Sequence, residues 1–276
     1  MRVFLLAALG CLLTALVVVG QGFVSEELSP RALSLGGAFV GLADDASAAL
    51  WNPAGLFTLK GIHIIARLSM PSPKTPFDIS GGAIGGGFFS IGGALWYGSR
   101  TIKAPVPGEQ SLAVVAAGAG VRETMAAGVT LKLYEELQSG KRWRGTGMDL
   151  GLLVRFGQVL QGGLVITDLL STRLVSTESF EFEKEIPLIV RMGAVLKLWE
   201  DRLRLLGALD LARHEELRAI RFGAEVRLFE GIALRVGWNG HEITWGAGFG
   251  IFEILQSDFA WHADGWAIST EIVFGK

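Results

Sequence analysis

From Leu59 to Phe274 the chain repeats one short pattern: a run of alternating apolar and polar residues, a brief break, then another such run. Residues 221–228 show it most clearly, with Phe222, Ala224, Val226 and Leu228 on one side and Arg221, Gly223, Glu225 and Arg227 on the other. Side chains alternate across a β-strand, so each run has one greasy and one charged face. In a soluble sandwich the apolar face is the core and the charged face meets water. In a membrane barrel the faces invert, apolar toward lipid and polar toward a wet bore.

Composition favours the barrel. Half the residues are hydrophobic and only 19% are charged, against about a quarter in soluble domains, and the mean hydropathy is +0.43. Past the N-terminus no apolar run is long enough to cross a bilayer as a helix. Strands of which every second residue touches hydrocarbon reconcile the two facts. The 38 glycines suit bent strands and close backbone approach in a closed sheet. A net charge of −2 gives no broad basic field for nucleic acid.

Arg2 followed by the apolar stretch Val3–Val19 and the small residues of Gly20-Gln21-Gly22 reads as a secretory leader, residues 1–22. An uncleaved helical anchor is the competing reading. The only cysteine, Cys11, lies inside this stretch, so cleavage leaves no thiol for disulfides.

About fourteen strands are expected between Lys60 and Phe274, an even number as single-chain bacterial barrels require. Gly85-Gly86, Arg122–Thr124, Gly157-Gln158, Trp199–Asp201 and Glu230-Gly231 read as tight turns. Met70–Pro76, Ser99–Glu109, Glu136–Thr146 and Leu169–Glu185 read as longer loops. Short turns mark the periplasmic end and place both termini there. The polar faces predict a bore lined by Asp149, Arg155, Arg191, Lys197, Asp210, Arg221, Glu225 and Arg227, because Arg or Lys facing lipid at midplane costs roughly 2–4 kcal/mol. Trp96, Trp238, Trp245, Trp261 and Trp266 fall near strand ends, where an aromatic girdle sits.

Residues 29–56 break the pattern. Asp44 or Asp45 could cap a short helix ending at Asn52-Pro53, and Gly36-Gly37 and Gly55 permit tight packing. A compact non-strand segment ahead of a barrel is most simply placed inside it, giving a hatch over 23–57 and a barrel over 58–276. The block Arg31-Ala32, Gly36-Gly37-Ala38-Phe39, Asp45-Ala46-Ser47 and Trp51-Asn52-Pro53-Ala54-Gly55-Leu56 resembles the start of the FadL-like outer-membrane proteins, especially the PorV/PorQ-type branch. That resemblance implies an all-β, fourteen-strand transmembrane antiparallel barrel whose N-terminal hatch blocks the bore. Two features depart from it: Phe274 is followed by Gly275-Lys276, and the loops are shorter than those of the fatty-acid transporters.

Within that frame Asp44, Asp45 and Ser47 are expected to anchor the hatch to the bore lining, and Asn52, Pro53 and Gly55 to shape its hinge. The resemblance also implies a sideways opening where an early strand is kinked, for which Gly92-Gly93 is the candidate. Gly81–Gly87 lacks the Lys-Ser/Thr of a phosphate loop and reads as pliable strand around a turn. His63, His214, His241 and His262 are scattered, so no metal site is expected, and His262 with Asp258 reads as a hydrogen-bonded pair in the bore rather than part of a hydrolase. No enzyme and no cofactor are expected. Two functions remain open: passive uptake of a hydrophobic small molecule, or a non-conducting scaffold or shuttle for secreted or surface proteins. Either implies outer-membrane lipid and the barrel-assembly machinery as partners.

Overall fold

The computed structural model describes residues 29–70, 77–102, 107–121, 123–169, 172–178, 182–212, 215–252, 254–262 and 265–275. The leader expected at 1–22, hatch residues 23–28 and His214 lie outside them. Sixteen strands follow a short helical segment: β1 (Gly61–Met70), β2 (Phe77–Phe88), β3 (Ile91–Ile102), β4 (Gly108–Val121), β5 (Met125–Gln138), β6 (Lys141–Phe156), β7 (Leu160–Thr167) and β8 (Thr172–Ser176). Then come β9 (Phe182–Ile186), β10 (Ile189–Leu198), β11 (Leu203–Ala212), β12 (Glu215–Phe229), β13 (Ile232–Trp238), β14 (Ile243–Ile251), β15 (Leu255–His262) and β16 (Gly265–Phe274).

Every neighbouring pair is antiparallel, and β1 pairs with β16 from Ile62↔Phe274 to Met70↔Trp266. The β5–β6 ladder joins the two arms of the sheet into a closed wall of fourteen strands, from which β8 and β9 branch as a hairpin. The fourteen strands expected from the sequence are those of the wall. The hairpin occupies most of the stretch read as the loop Leu169–Glu185 and runs one residue past it to Ile186; β8 pairs with the end of β6 next to the β5–β6 turn, Trp143↔Ser176 and Arg144↔Val175.

Three further connections differ from expectation; in the first, β3 and β4 pair on to Ile102↔Gly108, through much of the expected loop Ser99–Glu109. Gly85 and Gly86 continue β2, and the turn falls at Phe89-Ser90, both at positive φ (47° and 63°). Glu136–Thr146 is no loop: β5 and β6 pair up to Gln138↔Lys141 around Ser139-Gly140.

The faces fall as the alternation requires. On β12 Phe222, Val226 and Leu228 are exposed, whereas Glu225 is 1% exposed. On β11 Leu205 and Leu209 face out, and Arg204 and Asp210 face in. A soluble protein does not leave such a continuous apolar belt in water; a membrane barrel requires one. Trp238, Trp245, Trp261 and Trp266 lie at the rim of the belt away from the tight turns, with the Trp245 and Trp261 rings stacked at 5.8 Å. Exposed Phe89, Phe156, Trp199, Phe229 and Phe252 mark the end with the tight turns. Trp96 is not in the girdle. It shares the parity of Ala94, points inward and is buried.

Val129 is the middle residue of the outward apolar run Met125, Ala127, Val129, Leu131 and Leu133 on β5. Val129→Arg is expected to destabilise the barrel by about 2–4 kcal/mol and Val129→Leu to leave it unchanged, measured by urea unfolding in lipid vesicles with the heat-dependent gel shift of folded barrels as readout.

Candidate functional site

Inside the wall lies the segment 29–59. Ser29 caps helix α1 (Pro30–Ser34) by accepting from the Ala32 N–H, and Pro30 opens it where no amide hydrogen is needed. Helix α2 (Ala48–Trp51) follows, then a 3-10 turn over Pro53–Thr58. Neither Asp44 nor Asp45 caps α2; Ser47 holds the cap position without a side-chain bond to the helix. The segment is almost wholly buried. Helix α1 packs on β13 to β16, and the 3-10 turn packs on β2 to β6 across the bore.

Glycines of the wall seat this backbone. A Cβ at Gly92 of β3 would lie 1.8 Å from the Leu56 carbonyl oxygen. One at Gly118 of β4 or Gly128 of β5 would lie 2.3 Å from Pro53 backbone, and one at Gly163 of β7 would lie 2.3 Å from the Val40 oxygen. Gly237 of β13 stands in the same relation to the Gly36 amide, at 2.1 Å. Within the segment Gly55 faces the Ala43 carbonyl at 1.8 Å. Any side chain at these positions would push the segment off the wall.

Wall side chains then satisfy the segment's buried polar backbone. Gln161 Nε2 donates to the Gly41 and Leu42 carbonyls, Trp96 Nε1 to Ala46 and Thr130 Oγ1 to Ala49, while Thr244 Oγ1 accepts from the Gly36 N–H. Asn52 works from the other side. Its Nδ2 donates to the carbonyls of Val40 and of Leu152 on the wall, each at 3.0 Å, and its Oδ1 accepts from the Ala54 N–H. Unpaired, each such buried group would cost about 1–3 kcal/mol.

The remaining tie is ionic and centres on Glu225. Three buried guanidinium groups converge on this carboxylate, Arg31 at 3.3 Å, Arg204 at 3.2 Å and Arg235 at 2.6 Å, with the more exposed Arg227 at 3.6 Å. Arg31 Nη1 also donates to Asp44 (2.7 Å) and Asp45 (2.9 Å), Arg204 reaches Asp44 (2.8 Å), and Arg235 reaches Asp258 (2.6 Å). Asp44 therefore joins segment to wall through Arg204. Asp45 and Ser47 do not: the Ser47 N–H and hydroxyl both donate to Asp45 Oδ1, and Asp45 otherwise meets Arg31 of its own segment. Burial alone would raise the Asp44 carboxyl, but Arg31 and Arg204 hold it well below the usual carboxylate range. For Asp45 burial wins over its single guanidinium, and the neighbouring Asp44 charge adds to it, so the carboxyl is pushed up to about 6.

The other expected bore residues form separate groups. Arg191 and Arg221 both meet Asp210, with the Arg191 guanidinium 5.6 Å from the Trp51 ring centroid. Asp149 lies 2.7 Å from Lys132 and accepts from the backbone N–H of Asp168, whose carboxylate takes the Tyr134 hydroxyl. Arg155 covers the Phe57 ring at 4.8 Å. Arg227 is partly exposed beside Asp201 and Glu225, and Lys197 is half-buried. Asp258 is held by Arg235 and Gln256. His63, not singled out beforehand with any partner, lies 2.7 Å from Glu271 on the adjoining strand. The ladder runs through Gly92 and Gly93 on both sides without a register shift, to Gly87 and Gly86 of β2 and to Gly118 and Ala117 of β4. Gly92 here is a seat for Leu56 rather than a break.

Similarity to solved structures places this architecture. The Ralstonia pickettii toluene transporter TbuX superposes with a TM-score of 0.68 at 13% identity, over 89% of this chain and 98% of that one. The barrel is FadL-like in fold. The CymD monoaromatic hydrocarbon channel gives 0.65 at 12% identity, over 92% and 100%. A Pseudomonas aeruginosa FadL homologue gives 0.60 at 11%, over 87% and 96%. No protein-family model matches the chain, and no curated protein matches it by sequence.

Two outcomes are expected from this geometry. Gly92→Ala should leave the barrel folded but expose segment 29–59 to protease, whereas Gly93→Ala, whose Cβ would meet nothing closer than 3.4 Å, should leave it protected. Asp45 has a folded value of about 6 against an ordinary 3.8, so the folded state binds more protons between them. Its contribution is fully present below pH 3.8 and lost as pH rises through 6, by up to about 3 kcal/mol. Protease protection of the segment should weaken from pH 4.5 to 7, and Asp45→Asn should flatten that part of the profile; Asp44, depressed, does not titrate in this window.

Proposed function

We propose that the chain is an outer-membrane channel for passive uptake of hydrophobic small molecules, with residues 23–57 as its hatch. The observation that carries this reading is the manner of closure. Among the described residues, segment 29–59 shares no β-ladder with the wall; side-chain hydrogen bonds and the ionic knot at Glu225 hold it. It can therefore shift without opening the sheet. The leader at 1–22 would be removed during export, and both termini would lie on the periplasmic side with the tight turns. Asp44 serves as the tie to the lining, and Asn52, Pro53 and Gly55 shape the path about which the hatch moves.

The substrate class follows by analogy with the solved neighbours, described as a toluene transporter and a monoaromatic hydrocarbon channel. A hydrocarbon of that size suits a barrel with short loops better than a long-chain fatty acid does. The protein-shuttle reading and the PorV/PorQ branch draw no support from these neighbours.

Cells carrying the chain should take up radiolabelled toluene faster than cells lacking it, and uptake unchanged by its presence would sink the proposal. Glu225→Gln leaves three buried guanidinium groups short of a partner, a loss of about 3–5 kcal/mol where a buried pair is broken. In planar bilayers the wild type should be closed to ions and Glu225→Gln should conduct.

A further inference from the structure

Four buried polar atoms of the bore, Trp51 Nε1, Trp143 Nε1, Gln110 Oε1 and Asp210 Oδ1, meet no hydrogen-bond partner among the described residues. An indole N–H only donates, and an amide or carboxylate oxygen only accepts. The four fall into two pairs, each with one donor and one acceptor. Gln110 and Trp143 flank Glu136 as its register partners on β4 and β6, toward the end of the bore away from the tight turns. Gln110 Nε2 donates to Glu136 at 3.2 Å, which fixes the amide and leaves Oε1 as the spare acceptor. The Trp143 ring packs against the apolar cluster that contains Leu112, Tyr134 and Leu174.

The second pair lies where the enclosed segment meets β10, β11 and β12. Arg191 and Arg221 lie 3.5 and 2.9 Å from Asp210 Oδ2, and Oδ1 is left over. The same two arginines bracket Trp51. The Arg191 guanidinium is 5.6 Å from its ring centroid, and Arg221 Nη1 and the ring both stand against Gly37 where a Cβ would lie. Phe39 meets the Trp51 ring edge-on at 6.3 Å. Trp51, Asp210 and Gln110 are 2%, 1% and 6% exposed, so bulk water does not reach them.

Both pairs ask for the same chemistry. A hydroxyl accepts from an indole N–H and donates to a carbonyl or carboxylate oxygen, whereas a carboxylate only accepts and an ammonium only donates. The apolar and aromatic side chains beside each pair suit a ring. A hydrocarbon answers none of the four atoms, and a site that buries polar groups for a hydroxyl rejects the analogue lacking it. We propose that the bore selects phenols and other small aromatic alcohols over hydrocarbons, with Trp143 and Gln110 taking the hydroxyl at one station and Trp51 and Asp210 at the next. This rests on the channel reading above and narrows its substrate class.

The test uses the full chain in lipid nanodiscs, with its tryptophans isotope-labelled at the indole nitrogen for NMR. It is titrated with p-cresol and with p-xylene, which has a methyl where p-cresol has its hydroxyl. Trp51→Phe and Trp143→Phe assign the two indole N–H resonances and keep an aromatic ring at each place. p-Cresol should move both resonances downfield, and p-xylene at the same membrane concentration should leave them in place. After subtraction of the rate in cells lacking the chain, uptake of p-cresol should exceed that of p-xylene about tenfold. The Trp51→Phe/Trp143→Phe variant, verified as folded by the heat-dependent gel shift, should lose that preference. Equal movement of the resonances by both solutes, or none by p-cresol, overturns the proposal, and so does a preference that the double variant keeps. The wild-type titration decides the matter where a variant does not fold. Uptake of neither solute, with the resonances still moved by p-cresol alone, sinks the channel reading and leaves the two hydroxyl sites standing.

Discussion

Backbone-to-backbone contact between the wall and the segment it encloses is the constraint on which the rest of the structure depends. A fourteen-strand barrel is too wide for its own side chains to fill, and this one encloses a folded piece of main chain. Main chain fits against main chain only where no Cβ intervenes, and Gly92, Gly118, Gly128, Gly163 and Gly237 supply that clearance from five strands on different sides of the bore. Once carbonyls and amides lie that close to the wall they are out of water, and each must find a partner. Gln161, Trp96, Thr130, Thr244 and Asn52 meet that demand.

The charges obey the same logic at higher stakes. Ions removed from water are costly unless matched closely. Glu225, nearly inaccessible, is matched by three guanidinium groups, and the surplus positive charge is met by Asp44, Asp45 and Asp258. The knot includes residues from the enclosed segment and from β11, β12, β13 and β15. It couples the position of the segment to the packing of that whole side of the bore. Such a network is strong while complete and weak once one member is lost or neutralised.

The wall was largely legible in the sequence because its physics is periodic. Two-residue alternation fixes which face meets lipid, so Asp149, Asp210 and Glu225 could be assigned inward before any coordinates. Legibility failed where both faces are wet. Beyond the hydrocarbon the alternation of Glu136–Thr146 fades, and a paired hairpin read as a loop. Gly85-Gly86 read as a turn because glycine usually marks one; here those residues lie within β2, while Phe89 and Ser90 carry the left-handed turn. Trp96 was misplaced by its position near a strand end, although its parity with Ala94 already pointed inward. The partners of Arg31 were beyond reach, since Glu225 is 194 residues away and only barrel closure brings them together. Asp45 and Ser47 bind each other because a carboxylate two residues before an amide closes a local turn more readily than it reaches across a bore.

The chain leaves the enclosed segment at Leu59-Lys60 and enters β1, which pairs with β16 at the point where the sheet closes. Gly61, at a φ of 77°, faces the Phe274 carbonyl there. The enclosed segment is thus tethered to the seam, so the stretch that fills the cylinder and the strand pair that closes it share one anchorage.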